Sequence, residues 1–278
     1  MSATNTNTTY EQVYNVAEDD SLVTRVGLVV CLLVQRGLFV AGFGISKELL
    51  TIHYMGYNAN KPVWDLDFFE HLLLQEPLLA VKEKVKGVFI CSDKNMIIPD
   101  ALYDETEAKN WLKHIHFVEP KDEILSFSLE EDKAKYLLAV PLKIMELIRI
   151  NFRRATINPL AIYNFKNSRP QSLIMQCCIT GEQANLTLHN YSQLLWHKVV
   201  DYATAEDITY EIKHYCMENN ISPSKISFKC NAISAAEYEV ITQLTTYFAG
   251  IRSGNNRPIA GNWDAAVSLA QQLLTCAL

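Results

Sequence analysis

His114-Ile115-His116 has the residue types of a metal-binding pair. The segment reads as helical, and residues two apart on a helix do not face each other. No nearby cysteine or acidic triad completes a ligand set, so these are read as helix-end histidines beside the negative end of the dipole. His214 and Cys216 fail as a pair on the same geometry. Thr204-Ala205-Glu206-Asp207 gathers carboxylates and a hydroxyl, but ahead of a helical stripe such residues cap exposed N–H groups. Arg149, Arg153 and Arg154 cluster where a helix ends. Without a flanking basic–aromatic surface they are read as solvated terminal charges, and no nucleic-acid site is expected. Gly42-x-Gly44-x-x-Lys47 has the spacing of a phosphate loop, but the dinucleotide fingerprint runs into a helix. Here Leu49-Leu50-Thr51-Ile52-His53-Tyr54 follows with strand character, so a hairpin turn is expected. No G-x-S-x-G, H-E-x-x-H or Walker A motif occurs. No catalytic, cofactor-binding or metal-binding residue is assigned, and no cofactor is expected.

The elements that would position these residues belong to a well-buried chain. Of 278 residues 49% are apolar and 20% charged, which supports a core and argues against wholesale disorder. The net charge of −6 gives no global attraction to nucleic acid or anionic membrane. The longest apolar run, 26–34, is too short to span a bilayer as a helix, so no membrane insertion is expected. The seven cysteines include no C-x-x-C. Cys177 and Cys178 are adjacent and point to opposite faces of a strand. Buried, reduced thiols are expected, which suits the cytoplasm. Residues 1–20 lack the basic start and apolar centre of a signal peptide and read as a polar, disordered arm.

After the arm come three strand-like runs, 26–34, 38–43 and 49–55, separated by short polar or Gly-containing breaks as in an antiparallel meander. A helix over 63–79, a strand over 87–91, a helix opened by an Asp104/Glu107 capping box, a strand over 136–140 and a helix after Pro141 complete the first half. Polar residues around Lys166–Pro170 mark a boundary. Strands over 172–180, 184–189 and 193–202 then repeat the pattern. They are followed by a helix after Thr204, a strand over 226–230, a helix opened by Ser234 and Glu237, a Gly/Asn-rich loop and a closing helix over 263–274. Each half therefore reads strand, strand, strand, helix, strand, helix. That is the order of a ribonuclease-H-like lobe, although no residue-level repeat links the halves. The expected fold class is α/β: two tandem ribonuclease-H-like lobes forming an actin-like ATPase fold. The N-terminal lobe spans 21–166 and the C-terminal lobe 167–278. Ribonuclease-H-like nucleases place metal-binding carboxylates on the first strands, and 26–34 and 38–43 carry none.

Two stretches strengthen the reading. One is MIIPDALYDETEAKNWLKHIHF (96–117), followed by YLLAVPLKIMELI (136–148). The other is WHKVVDYATAEDITYEIKHYCMENNISPSKISF (196–228). They resemble an uncharacterised Bacteroidetes family, a domain of unknown function with an actin-like ATPase fold, over roughly residues 21–251. The resemblance implies two actin-like lobes and no established activity. Actin-like ATPases hold phosphates between two hairpin loops, each with an aspartate beside glycine and a small hydroxyl residue. The glycine admits the phosphate, the N–H groups cradle it and the aspartates manage Mg²⁺. Here the first hairpin is either Gln35-Arg36-Gly37 or Gly42-Phe43-Gly44-Ile45-Ser46, and neither contains aspartate. The second, Ile179-Thr180-Gly181-Glu182, also lacks it, leaving Glu182 as a substitute from the far side of the glycine. The adenosine-binding Gly-Gly pair is missing, and Gly250-Ile251-Arg252-Ser253-Gly254 is a poor replacement.

The expectation is therefore a non-catalytic actin-like adaptor or assembly protein, with another protein as partner. The alternative is a divergent nucleotide-binding ATPase or small-molecule kinase that uses other cleft residues.

Overall fold

The computed structural model describes residues 8–16, 22–57, 61–162, 173–191, 193–254, 259, 261 and 263–278. Strands β2 (Leu28–Val34), β3 (Gly37–Phe43) and β4 (Leu49–Tyr57) form the first expected meander. Helix α2 (Leu66–Gln75) crosses to β5 (Val85–Ile90), which runs parallel to β2, and β9 (Thr156–Pro159) runs parallel to β5. The second meander is β10 (Leu173–Thr180), β11 (Gln183–Asn190) and β12 (Gln193–Asp201). Helix α5 (Ala205–Glu218) leads to β13 (Ser227–Ala232), and α6 (Ala236–Leu244) leads to β14 (Arg252–Ser253). Leaving aside one N-terminal edge strand on the first, the two sheets run β4-β3-β2-β5-β9 and β12-β11-β10-β13-β14. Numbered by appearance, both are 3-2-1-4-5, with the first three strands antiparallel and the last two parallel. This is the ribonuclease-H-like order, used twice.

Helix α1 (Leu22–Arg25) precedes the first meander. The excursion between β5 and β9 is larger than the sequence suggested. It holds β6 (Asn95–Pro99), α3 (Ala108–Lys113), β7 (Asp122–Leu129), β8 (Ala134–Pro141) and α4 (Leu142–Asn151). Strands β6, β8 and β7 make a separate antiparallel sheet, so the expected strand at 136–140 is the centre of this subdomain and not part of the main sheet. The Asp104/Glu107 capping box does not form. Asp104 caps the N–H of Thr106 at 2.8 Å in a short 3-10 turn, and Glu107 accepts from the Asn110 side chain instead. Thr204 and Asp207, by contrast, form a reciprocal capping box on α5.

Two sequence boundaries need correction. Thr8–Asn15, read as part of a polar disordered arm, is strand β1, paired antiparallel with β4 at the sheet edge. Its backbone hydrogen bonds and the buried Val13 hold it there, while its polar residues suit an edge. The closing helix α7 (Asp264–Ala277), assigned by sequence to the second lobe, packs chiefly on the first. Its Ala266, Leu269, Ala270 and Leu273 cover Val30, Leu32, Phe39, Ala41 and Phe89. Gly87 permits this approach, since a Cβ there would lie 2.6 Å from the Ala277 methyl. The expected boundary at 166–170 lies outside the described residues.

Candidate functional site

Antiparallel strands put alternate turns at opposite ends of a sheet, and this resolves which first hairpin meets the second. The turn at Gln35-Arg36, between β2 and β3, faces the turn at Gly181-Glu182, between β10 and β11. The Gly42–Lys47 segment is the β3–β4 connection at the other end. It is closed locally, with Gly44 N–H donating to Glu48 O at 2.9 Å and Lys47 N–H to Gly44 O at 3.0 Å. It is a hairpin turn, as its strand-like continuation indicated.

The two facing hairpins are joined by side chains of the chain itself. Arg36 Nε donates to Glu182 Oε2 at 3.1 Å. Arg36 also donates to the carbonyl of Lys61, and its guanidinium lies 6.0 Å from the Tyr57 ring centroid. Glu182 is thus engaged as an ion-pair partner. Gly181 adopts φ +70°, a left-handed turn conformation that glycine enters without strain. Its N–H donates to Glu237 Oε1 at 3.1 Å, and its carbonyl accepts from the Tyr202 hydroxyl. Both backbone groups of the hairpin glycine are therefore committed.

Glu237 is 5% exposed and lies in the first turn of α6. Its Oε2 accepts from Ser234 N–H at 2.7 Å and Ser234 Oγ at 2.5 Å. Burial raises its pKa, and the donated hydrogen bonds oppose that shift. Tyr54 stands beside Gly181, and burial, reinforced by Glu237, Glu11 and Glu182, raises its phenol. Two further bonds tie the lobes together: Glu11 Oε1 accepts from Ala235 N–H at 3.0 Å, and Asp132 Oδ1 accepts from Leu194 N–H at 3.0 Å. A phosphate at such a hairpin needs free N–H groups and a cationic counter-charge. Glu237 takes the N–H of Gly181, and Glu182 takes Arg36.

A cleft of about 510 Å³ opens beside the hairpins, between β6 and the edge strand β12. Asp93, just past the C-terminal end of β5, lies at its margin and accepts from Gln35 Nε2 at 2.5 Å. Met96, Ile97 and Ile115 face Leu194, Leu195 and Val199 across it.

The other sequence candidates are dispersed. His116 Nε2 lies 2.9 Å from the Asn95 carbonyl, while His114 lies edge-on to Trp111. His214 pairs with Glu218 and stacks on Tyr210, whereas Cys216 is in the core. Arg149 forms a two-pronged pair with Glu123, which raises its pKa. Arg153 and Arg154 line a separate depression with Lys82 and Glu83. Gly254 packs against Asn231 and Gln272, with its N–H on Asn231 Oδ1 at 3.2 Å. Among the described residues no group of three His, Cys, Asp or Glu side chains could hold a metal ion. Six of the seven cysteines are buried, and burial pushes the Cys91 thiol up to about 12. No helix among the described residues is long and apolar enough to cross a membrane.

Sequence reasoning treated Glu237 only as a helix cap and missed its reach to Gly181. Glu11 was hidden in the supposed arm. Neither role has a local sequence signal, because each depends on the packing of one lobe against the other.

Residues 43–251 match the family model described as "Protein of unknown function (DUF3822)". Among solved structures, the chain is similar to a protein of actin-like ATPase fold and unknown function from Bacteroides thetaiotaomicron VPI-5482. The TM-score is 0.70 at 13% identity, covering 91% of this chain and 99% of that one. It is also similar to the PilM–PilN type IV pilus biogenesis complex, with TM-score 0.54, 11% identity, and 91% and 99% coverage. The cytoplasmic domain of EpsL, an inner-membrane component of the type II secretion system of Vibrio cholerae, follows at TM-score 0.47 and 10% identity, covering 89% and 94%. No curated protein matches the chain. The actin-like fold and the Bacteroidetes resemblance drawn from 96–148 and 196–228 are both borne out.

Proposed function

Since the chain belongs to the DUF3822 family of proteins of unknown function, we propose from its own geometry that it is a non-catalytic, actin-like adaptor that docks another protein. The observation that carries this reading is the hairpin contact. Arg36 and Glu182 bridge the loops, and Glu237 occupies the Gly181 N–H group. Interactions that phosphate and Mg²⁺ would supply in an ATPase are made here by side chains, and no aspartate stands in either hairpin. The fold then serves as a rigid two-lobed platform. PilM, similar in fold, is found in a complex with PilN, and by analogy we place the partner of this chain in the cleft between β6 and β12. Buried thiols with raised pKa values support a reducing, cytoplasmic setting.

Calorimetry with Mg-ATP and Mg-GTP tests the first half, and flat titrations are expected. Sub-millimolar binding sinks it. Affinity capture from soluble and membrane fractions of the host tests the second. A protein captured by the wild type should be lost with Ile115→Asp, because Ile115 is 56% exposed and lines the cleft. Recovery undiminished by that change excludes the cleft.

One observation favours the alternative of a divergent nucleotide enzyme. Asp93 sits just beyond the carboxyl end of a parallel strand, where open α/β sheets bind ligands. Nucleotide binding by the wild type that Asp93→Asn abolishes would establish that reading in place of the adaptor.

A further inference from the structure

A second cavity, of about 500 Å³, lies between the edge strand β1 and the C-terminal end of α2. It shares no lining residue with the interlobe cleft. Met55, Leu72 and Pro77 give it an apolar wall, and Tyr10, His71 and Gln75 a polar rim. Glu76, which follows α2, completes the lining, and its side chain is fully enclosed while Tyr10 stays in place.

The bonding of Glu76 is lopsided. Its Oε1 accepts from Leu78 N–H at 3.0 Å and lies 3.0 Å from Nδ1 of the buried His53. Its Oε2 is buried and has no hydrogen-bond partner among the described residues. The nearby ammonium is committed elsewhere: Lys82 Nζ donates to Leu73 O at 2.6 Å and lies 5.4 Å from the Phe152 ring centroid. The Tyr10 hydroxyl is 3.2 Å from the same Nδ1. His53 Nδ1 thus stands between Glu76 Oε1 and the Tyr10 hydroxyl. The corner therefore holds one carboxyl oxygen, Oε2, without a donor among the described residues, beside an imidazole and a phenol that are in contact with each other. A buried carboxyl group needs partners for both oxygens; His53 and the Leu78 N–H serve Oε1, and Oε2 is left without one.

We propose that this cavity binds a small organic cation, a primary ammonium or a guanidinium on a short apolar stem. The head sits on Glu76 Oε2 and the stem lies against Met55, Leu72 and Pro77. Tyr10, 57% exposed on the edge strand, turns aside to admit it. The cavity volume falls in the usual range for small-molecule sites, and apolar walls with one placed charge are the usual lining. The same head group is carried by free alkylamines and by lysine or arginine side chains, so the source is a separate question from the chemistry.

The test uses the full chain labelled with [¹³C-methyl]methionine. Of its six methionines, Met55 lines this cavity and Met96 the interlobe cleft. Titration with n-butylammonium or agmatine should move the Met55 methyl resonance saturably and leave Met96 in place. n-Butanol, with the same stem and no charge, should bind at least about tenfold more weakly. N-acetyl-lysine methylamide separates the sources: binding tighter than n-butylammonium indicates a partner's side chain, and weaker binding a free amine. Glu76→Gln should cost the amine at least about tenfold in affinity with the methyl spectrum otherwise retained. If that variant fails to fold, the butylammonium–butanol contrast on the wild type decides. Equal binding of the two shows an apolar cavity with no cation selectivity and overturns the proposal. An unmoved Met55 at millimolar amine overturns it as well, and assigns Oε2 to water.

Discussion

The two lobes share a strand order but not a way of being buried. In the N-terminal sheet both faces of β2 and β3 are apolar. Val29, Cys31, Leu33, Leu38 and Val40 meet α2 and α4, while Val30, Leu32, Phe39, Ala41 and Phe43 meet α7. In the C-terminal sheet one face is apolar, with Met175, Cys177, Ile179, Leu186 and Leu188 under α5 and α6. Most alternate positions, Gln176, Thr180, Asn185, Thr187 and His189, are polar and also buried, with Cys178 the apolar exception under α7. Topology fixes which residues share a face; what covers that face fixes its chemistry. The first sheet takes its second cover from the far end of the chain, through α7, which also reaches Cys178 and Ile233 of the second lobe. The polar face of the second turns toward the N-terminal lobe, where Thr180 meets Cys91 and His197 meets the Tyr136 ring. Buried polar groups need partners, so that interface is held by hydrogen bonds and is specific in register.

The largest expected effect follows from the loan of α7. Leu269→Ala removes a fully buried side chain from the second core of the N-terminal lobe and should cost about 2–5 kcal/mol. Chemical denaturation gives the magnitude and amide exchange the location. Protection in β2 and β3 should fall before protection in β10 and β11. The opposite order would return the helix to the C-terminal lobe and erase the comparison.

The polar face makes the second prediction. Burial, reinforced by His189, pushes His197 down to about 3, and burial lowers His189 too. Between that value and the unfolded histidine pKa near 6.5, the unfolded chain binds more protons than the folded one. The stabilisation is therefore fully present above about pH 6.5 and declines as the pH falls. Between pH 6.5 and 4.5 the loss should reach about 2 kcal/mol. Denaturation at stepped pH measures it, and His197→Gln should flatten the acid limb. An unchanged slope would show that the interlobe face is wetter than its burial indicates.

The twofold order of elements was legible because meanders and crossovers write themselves as apolar runs with Gly or polar breaks. Thr204-x-x-Asp207 declared its cap for the same local reason. Strands β6 and β7 were not legible: 122–129 is mostly half-exposed and alternates weakly, so its pairing with β8 supplies what its pattern lacks. Strand β1 was hidden by polar edge composition, and the place of α7 by the fact that an apolar helix stripe does not name the sheet it will cover. The absence of hairpin aspartates could be read from residues alone. That Arg36, Glu182 and Glu237 fill their place could not, since those residues are distant in sequence and meet only after both lobes have folded.

A smaller effect tests what binds the hairpin glycine. Glu237→Gln keeps the shape but can offer only one accepting oxygen to the donors Ser234 and Gly181. It also removes a buried charge, which offsets part of the loss, so the net cost should be about 1 kcal/mol. The local readout is sharper: amide exchange at Gly181 should quicken while that at Gly37, in the first hairpin, holds. Because the Glu237 pKa is raised, the folded state gains a proton ahead of the unfolded one and the group adds stability as the pH falls below that raised value. Its loss should therefore steepen the acid limb, in the sense opposite to His197→Gln.

The smallest expected effect bears most directly on how the lobes meet. The Arg36 and Glu182 side chains are 21% and 60% exposed, so solvent screens their pairing. A double-mutant cycle with Arg36→Ala and Glu182→Ala should yield a coupling of about 0.5 kcal/mol that fades with added salt. A bridge this weak cannot hold two lobes closed alone; the buried polar face and α7 must do that. Its role is then occupancy: Glu182 neutralises Arg36 at the hairpin tips. Glu182→Ala should leave stability nearly unchanged, yet free Arg36 to attract an anion, visible as weak phosphate-dependent shifts at the Gln35-Arg36 amides. If the coupling instead exceeds about 2 kcal/mol, the hairpins are a structural clamp. The lobes would then differ less in how they are built than in which of them carries the arginine.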